Sequence, residues 1–131
     1  MYQPKNVVSS AAELKSILGP DFPSQVAKVI DHIDDHCRAW IERTPFVVIA
    51  SVGANGMMDI SPKGDPAGFV QVLDPKTLAV PDRLGNHRGD TFLNVLENTN
   101  VALMFVIPKR REWCGSSARP RWCATPTCWR R

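Results

Sequence analysis

Two polar stretches of the chain carry the side chains that are best suited to bind a small anionic molecule. The first, Ser61–Pro66, reads Ser-Pro-Lys-Gly-Asp-Pro and follows an apolar run, so we expect a strand to end there and a loop to begin. A lysine beside serine and glycine at a strand end can contact a phosphate through its ammonium group and nearby amides, which makes Lys63 a candidate. A solvated turn capped by the aspartate explains the same residues, and chemistry alone favours that simpler interpretation.

The second stretch, Pro81–Thr91, leads from an apolar run into the start of a helix. Its arginines, Arg83 and Arg88, lie five residues apart among glycine, asparagine and threonine. The unpaired amides and the positive dipole end of a helix start suit a phosphate, and two arginines can clamp it. Alternatively, the arginines pair with the aspartates of the same stretch, and its Asp90 or Thr91 simply caps the helix.

Further candidates give weaker signals. Asn94, one turn inside the predicted helix, can face the same site, and His87 is either a phosphate donor or a solvated loop residue. His32 and His36 have the spacing of two metal ligands on a helix but lack a third, so no metal is expected. Cys37 is expected in the core. The sequence contains no Ser/His/Asp or Cys/His signature of a hydrolase, so we assign no catalytic side chain.

Two helices are predicted to precede the first strand. Ser10–Glu13 is a capping box, and the helix that it opens ends at Gly19–Pro20. Ser24 is expected to cap a longer helix that runs to about Arg43. Spacings of three and four residues define the apolar face of this second helix, which consists of Val26, Val29, Ile30, Ile33, Cys37, Trp40 and Ile41.

After Pro45 the spacing of apolar residues changes from that of a helix to that of short strands. The predicted strands are Phe46–Val52, Met57–Ser61, Gly68–Leu73, Thr77–Val80 and Val101–Ile107. Ala54–Gly56 contains Asn-Gly and predicts a hairpin with a type I′ turn, and Asp74–Lys76 predicts a second turn. A helix is expected over Asp90–Glu97. Its inward side chains are predicted to be Phe92, Leu93 and Leu96. Short strands with tight turns favour an antiparallel barrel or sandwich.

Length and composition describe one globular domain. The chain has 131 residues, of which 44% are hydrophobic and 22% are charged, values that are ordinary for a soluble protein. No apolar run reaches about 18 residues, so no membrane span is expected. No apolar stretch follows Lys5, so no secretory signal is expected either, and the composition indicates a cytoplasmic protein.

Residues 111–131 differ from the rest of the chain. The tail carries five arginines against Glu112, a net charge of +4, whereas residues 1–110 have a net charge of −1. The body of the protein therefore lacks the basic surface of a nucleic-acid-binding domain. The tail holds three of the four cysteines and three of the four tryptophans, and no Val, Ile, Leu or Phe. These residues are Arg111, Arg119, Arg121, Arg130, Arg131, Cys114, Cys123, Cys128, Trp113, Trp122 and Trp129.

Four interpretations of the tail compete. Cysteines separated by eight and four residues, with no later histidine, do not match a zinc site, and no targeting segment supports a disulfide framework. A basic tail with tryptophans can bind nucleic acid. We favour a frameshift after about residue 112. Reading the codons one base earlier turns both Trp-Cys pairs into Val-Val pairs, and the shifted sequence has the pattern of a strand, a glycine, a second strand and a helix. We therefore expect a domain over residues 1–110 and an atypical tail over 111–131; a genuine, poorly ordered tail is the alternative.

Three segments of the chain, taken in order, resemble the pyridoxamine 5′-phosphate oxidase-like flavoproteins, in particular the bacterial branch of probable FMN-dependent enzymes. These segments are Ser61–Val70, Leu78–Thr91 and Asn94–Asn98. The resemblance covers about residues 10–112. It implies a mainly β, α+β fold: a split antiparallel β-barrel with N-terminal helices. The C-terminal part of the barrel is expected to be missing or altered, because members of the family continue with further strands.

The resemblance also implies a homodimer with FMN at its interface. The flavin then performs the redox chemistry while the protein binds and orients it. Carried over by matching motif, the cofactor-binding residues are Lys63, Arg83, Asn86, Arg88 and Thr91, followed by Ser61, Asp82 and Asn94.

Three functions remain open from the sequence. The first is an FMN-dependent oxidoreductase that acts on an unidentified small-molecule substrate, without nucleic-acid or membrane partners. The second is a flavin- or haem-binding protein on the same fold without catalysis. The third is an interaction protein whose basic tail binds nucleic acid.

Overall fold

The computed structural model describes residues 4–5, 7–83 and 88–119. The chain divides into two compact units, residues 1–31 and residues 32–131. In the first unit, helix α1 (Ala11–Leu18) begins as predicted, because the Ser10 hydroxyl accepts a hydrogen bond from the Glu13 amide at 3.1 Å. The Glu13 carboxylate reaches back and accepts from the Ser9 amide at 3.0 Å. The helix ends at Gly19, whose φ of +75° suits glycine.

The predicted long helix from Ser24 to Arg43 is wrong. Helix α2 (Pro23–Val26) follows Phe22, with Pro23 rather than Ser24 at its start, and helix α3 (Asp35–Arg43) begins anew. The Asp34 side chain caps α3 by accepting from the Cys37 amide at 2.7 Å. The Ile33 amide donates to the Pro75 carbonyl at 2.6 Å, so it is not available for a continuous helix.

The break also divides the predicted apolar face of that helix. Ile33, Trp40 and Ile41 belong to the hydrophobic core or pack against it, as expected. Three members of the predicted face are instead exposed, namely Val26, Val29 and Ile30.

In the second unit, one sheet contains β1 (Phe46–Val52), β2 (Met58–Gly64), β5 (Val101–Val106) and β6 (Cys114–Ala118). The order β2-β1-β5-β6 is antiparallel throughout. A separate two-stranded sheet pairs β3 (Gln71–Asp74) with β4 (Thr77–Ala79). Helix α4 (Asp90–Glu97) precedes β5 and packs against β1 and β2. The predicted α+β class, with N-terminal helices and a split antiparallel sheet, is confirmed.

The β1–β2 hairpin is confirmed, but its predicted turn type is wrong. The Gly56 amide donates to the Gly53 carbonyl at 2.9 Å, and the Gly53 amide donates to the Met57 carbonyl at 3.0 Å. Gly56 has a φ of +77°, whereas Asn55 does not have the positive φ that a type I′ turn requires. The connection is therefore a type I turn followed by a glycine bulge. The Asn55 side chain accepts from the Met57 amide at 2.9 Å.

Strand β2 continues through the segment that was expected to form a loop. Pro62 lies opposite Val48, and Lys63 lies opposite Val47. A proline is tolerated here because β2 is an edge strand, where the missing N–H group faces away from the ladder. Ser61 and Lys63 are therefore fixed by a β-ladder.

Alternation along the strands gives the large sheet two distinct faces. The inner face carries the buried Val47, Leu103 and Phe105, which pack with Ile41 and Val70. The outer face of β1, β2 and β5 carries apolar or glycine residues at every position: Phe46, Val48, Ala50, Val52, Met58, Ile60, Pro62, Gly64, Ala102, Met104 and Val106. Several are exposed, including Met58 at 73% and Ile60 at 66%.

Helix α4 has the predicted bounds but a different buried face. Thr91 is buried, and Leu93 and Leu96 are exposed, contrary to prediction. The inward side chains include Asn94, whose amide nitrogen donates to the Ser51 hydroxyl at 3.0 Å. No helix among the described residues is long and apolar enough to cross a membrane.

Candidate functional site

Lys63 lies on the inner side of β2, beside helix α4. Residues opposite each other in an antiparallel ladder project to the same face, so Lys63 shares the face of Val47, and Ser61 shares that of Ile49. The Lys63 ammonium lies 5.9 Å from the centroid of the Phe92 ring on α4. This distance is typical of a cation–π contact, which helps to orient the ammonium group near the start of the helix.

Asp82 forms an ion pair with Lys63. The Lys63 Nζ lies 2.8 Å from Oδ1 of Asp82, and the two side chains are only 20% and 23% exposed. A pair with this burial is screened less by salt than a surface pair. The contact joins β2 to the segment after β4, and it brings together two residues that the sequence singled out from separate motifs.

Arg83 pairs with Asp65 and not with Asp82. Its Nε and Nη2 atoms lie 2.8 Å and 2.6 Å from the same carboxylate oxygen. The Asp65 amide also donates to the Pro45 carbonyl at 3.2 Å, which holds the residue just beyond the end of β2. Asp65 is therefore the partner of a neighbouring arginine rather than the cap of a solvated turn.

The start of α4 carries the third ion pair. Nε of Arg88 lies 2.7 Å from Asp90, as one alternative predicted, and the Arg88 side chain is 70% exposed. The N-cap is Gly89 with a φ of +66°, so neither Asp90 nor Thr91 caps the helix. The Gly89 carbonyl accepts from the amides of Phe92 and Leu93 at 2.9 Å and 3.0 Å, but Gly89 has no side chain to bind the earlier amides, so the positive end of the helix dipole is suited to an external anion.

The eight candidate residues therefore fall into three groups. Lys63, Asp82, Arg83 and Arg88 form ion pairs next to β2 and the start of α4, with Ser61 on the same strand face as Lys63. Thr91 lies buried in the first turn of α4, and Asn94 bonds β1 through Ser51. Asn86, together with His87, lies outside the described residues.

The sequence did not show how the charges are paired. Asp65 contacts Arg83, and Phe92 contacts Lys63, in each case from another segment of the chain. The spacing of residues along the sequence does not predict such contacts. Each of the three cations has a carboxylate partner. An anionic ligand at these groups would therefore share the cations with those carboxylates or displace them.

The tail is described in part. Strand β6 lies beyond residue 110 and pairs with β5, while residues 120–131, including Cys123, Cys128 and three of the arginines, lie outside the described residues. The frameshift and the domain boundary at residue 110 stay predictions.

Comparison with known proteins places the chain in a family. The family model described as pyridoxamine 5′-phosphate oxidase matches residues 33–121. No curated protein sequence matches the chain.

Two solved structures of tagged HupZ from Group A Streptococcus are similar to it. One, without a substitution, is 22% identical with a TM-score of 0.49 over 65% of this chain and 62% of that chain. The other, in which one histidine is replaced by alanine, is 26% identical with a TM-score of 0.47 over 60% and 59%. The chain thus spans about three fifths of the length of these proteins. Since the family model matches more than half of the sequence, the chain belongs to the pyridoxamine 5′-phosphate oxidase family.

Proposed function

We propose that the protein binds FMN and acts as an FMN-dependent oxidoreductase. The observation that carries the proposal is the Lys63–Asp82 ion pair, which joins β2 to the stretch that leads into α4, with the Lys63 ammonium 5.9 Å from the Phe92 ring at a helix start that has no side-chain cap. Cationic side chains and helix amides are the groups that hold phosphate monoesters in proteins. Family membership supports a flavin as the molecule that carries this phosphate.

The donor set fits FMN. Lys63, Arg83 and Arg88 would hold the phosphate, and the hydroxyls of Ser61 and Thr91 are of the type that binds phosphate oxygens. Asp82 would accept from a ribityl hydroxyl, and Asn86 and Asn94 offer amide groups. Bound FMN supplies the electron-transfer chemistry, and none of these side chains is needed as an acid or base.

We further propose a homodimer that forms through the outer face of the large sheet; this face lies opposite the one that carries Lys63, so the proposal departs from the expectation of FMN within the dimer interface. This face is apolar at every position of three strands, and Met58, Ile60 and Met104 are all substantially exposed. A contiguous apolar surface of this kind is typical of an interaction site in a soluble protein. A second copy would cover it with the same residues, as a two-fold interface requires.

The experiment that tests the flavin proposal is a titration of FMN followed by quenching of flavin fluorescence, with riboflavin as the matched ligand without a phosphate. We expect FMN to bind more tightly than riboflavin. If neither binds, the flavin proposal fails. A steady-state assay with a reductant and oxygen, run beside free FMN at the same concentration, then separates the enzyme from the binding protein, because only an enzyme exceeds the turnover of the free flavin.

A further inference from the structure

Two cysteines that are far apart in the sequence meet on the side of the molecule formed by α3 and β6. Cys37 lies in the first turn of α3, and Cys114 is the first residue of β6. The two elements pack together, and each thiol is among the groups that interact with the other. Both cysteines are free and both are partly exposed. Cys37 was expected in the core, so this pairing is not apparent from its position on an apolar helix face.

The backbones of both cysteines are held in place. The Cys37 amide donates to the capping carboxylate of Asp34 at 2.7 Å. Cys114 lies opposite Phe105 in the β5–β6 ladder. Trp40, almost one helical turn after Cys37, donates from its indole nitrogen to the Phe105 carbonyl at 3.2 Å. Because α3 is fastened to the ladder partner of Cys114, the two thiols are kept together rather than meeting by chance.

A metal does not explain the pair. Within the part of the chain that the structure describes, no three His, Cys, Asp or Glu side chains form a group that could hold a metal ion. A pair of partly exposed thiols in contact has a second chemistry open to it, which is oxidation to a disulfide.

We propose that Cys37 and Cys114 form a reversible disulfide that locks β6 to α3 when the protein meets a small-molecule disulfide such as oxidised glutathione. The Cys114 thiolate attacks one sulfur of the oxidant, and a glutathione thiolate leaves. The Cys37 thiol then loses its proton to solvent and attacks the Cys114 sulfur, which releases the second glutathione. Two protein thiols are oxidised, and one external disulfide is reduced to two thiols. This proposal is independent of flavin binding.

The surroundings assign the order of the two steps. Burial raises the pKa of Cys37 to about 12, and its interaction with Asp34 acts in the same direction. Burial also raises the pKa of Cys114, but its interaction with Cys37 opposes that rise. We therefore assign the first attack to Cys114, and the reaction is expected to be slow at neutral pH.

The test uses the full chain equilibrated with defined ratios of reduced and oxidised glutathione, alkylated, digested without reductant and analysed by mass spectrometry. We expect a peptide that links Cys37 to Cys114, and the same link in a Cys123→Ser/Cys128→Ser variant. Cys37→Ser should instead accumulate a glutathione adduct on Cys114. The oxidised chain should melt at least about 5 °C above the reduced chain, because a cross-link that closes a long loop restricts the unfolded state.

Two results would overturn the proposal. One is a chain in which Cys37 and Cys114 stay reduced at glutathione ratios that oxidise other exposed thiols. The other is preferential linkage of either cysteine to Cys123 or Cys128. Both readouts come from the unsubstituted chain, so they hold even if a serine variant fails to fold.

Discussion

Replacement of Lys63 by methionine is the sharpest test of the proposed phosphate site. Methionine keeps most of the length of the side chain and removes only the charge. The Lys63 side chain is 20% exposed, whereas Arg83 and Arg88 are 63% and 70% exposed. Water and salt screen the two arginines far more, so the three cations should not contribute equally to the binding of an anion.

The expected magnitudes follow from this difference in burial. A hydrogen bond to a charged group in a partly buried site contributes about 1.5–3 kcal/mol, so Lys63→Met should weaken FMN binding by roughly 10- to 100-fold. A contact made by a largely exposed arginine contributes about 0.2–1 kcal/mol. Arg83→Met and Arg88→Met should therefore each weaken binding by about 5-fold at most.

The assay is fluorescence-quenching titration of FMN and of riboflavin at about 0.15 M salt, with the melting temperature of each variant as a control for folding. Lys63→Met should reduce the affinity for FMN and leave that for riboflavin almost unchanged, because riboflavin has no phosphate. Equal losses for both ligands would refute the assignment of Lys63 to the phosphate. A loss no larger than that of Arg88→Met would refute the argument from burial.

Three further predictions concern the fold around the site. Ile60→Lys should convert the proposed dimer to a monomer in light scattering, because it places a charge on the exposed apolar face; a dimer that persists would locate the interface elsewhere. Gly53→Ala should lower the urea midpoint, since its Cβ would lie 3.0 Å from Oδ1 of Asn94. Gly64→Ala is the matched control, because the atom nearest to its Cβ would lie 3.7 Å away. Equal changes of the urea midpoint in the two variants would contradict the reasoning. Hydrogen bonds from Cys37 lower the pKa of Asp34 below its usual 3.8. The cap that Asp34 forms on α3 therefore stabilises the fold at pH values above 3.8, and this stabilisation is lost as the pH falls through the lowered pKa. Asp34→Asn should therefore reduce the dependence of stability on pH in the acid range, which urea melts at several pH values would detect.

The sequence pattern correctly predicted those elements that are stabilised by residues close to one another in the chain. Phe46–Val52 is a strand with the predicted bounds because its β-branched residues suit a pleated ladder. Ser10 caps α1 because the cap and the amide that it binds lie three residues apart. In both cases the interacting groups are close in sequence.

The incorrect predictions concern segments whose structure is determined by contacts with residues far away in the sequence. The helix predicted from Ser24 does not run through Ile33, because the Ile33 amide bonds to Pro75 in the β3–β4 turn. The first four residues of the loop predicted at Ser61–Pro66 belong to strand β2, because they pair with the edge of β1. The site shows the same division, since the motifs identified Lys63, Asp82, Arg83 and Arg88, but only the fold shows which carboxylate pairs with which cation.

Strand β6 has a consequence for how this fold tolerates genetic change. Its sequence is Cys-Gly-Ser-Ser-Ala, so it attaches to β5 largely through main-chain hydrogen bonds, and these are the same for every residue except proline. Pairing at the edge of β5 therefore depends on the conformation of the covering strand more than on its side chains. An exchange of the coding sequence for this segment, including a change of reading frame, would be accommodated more readily here than on β1. The edge of the sheet is thus a place where a changed sequence disturbs the buried residues of β1 and β5 little.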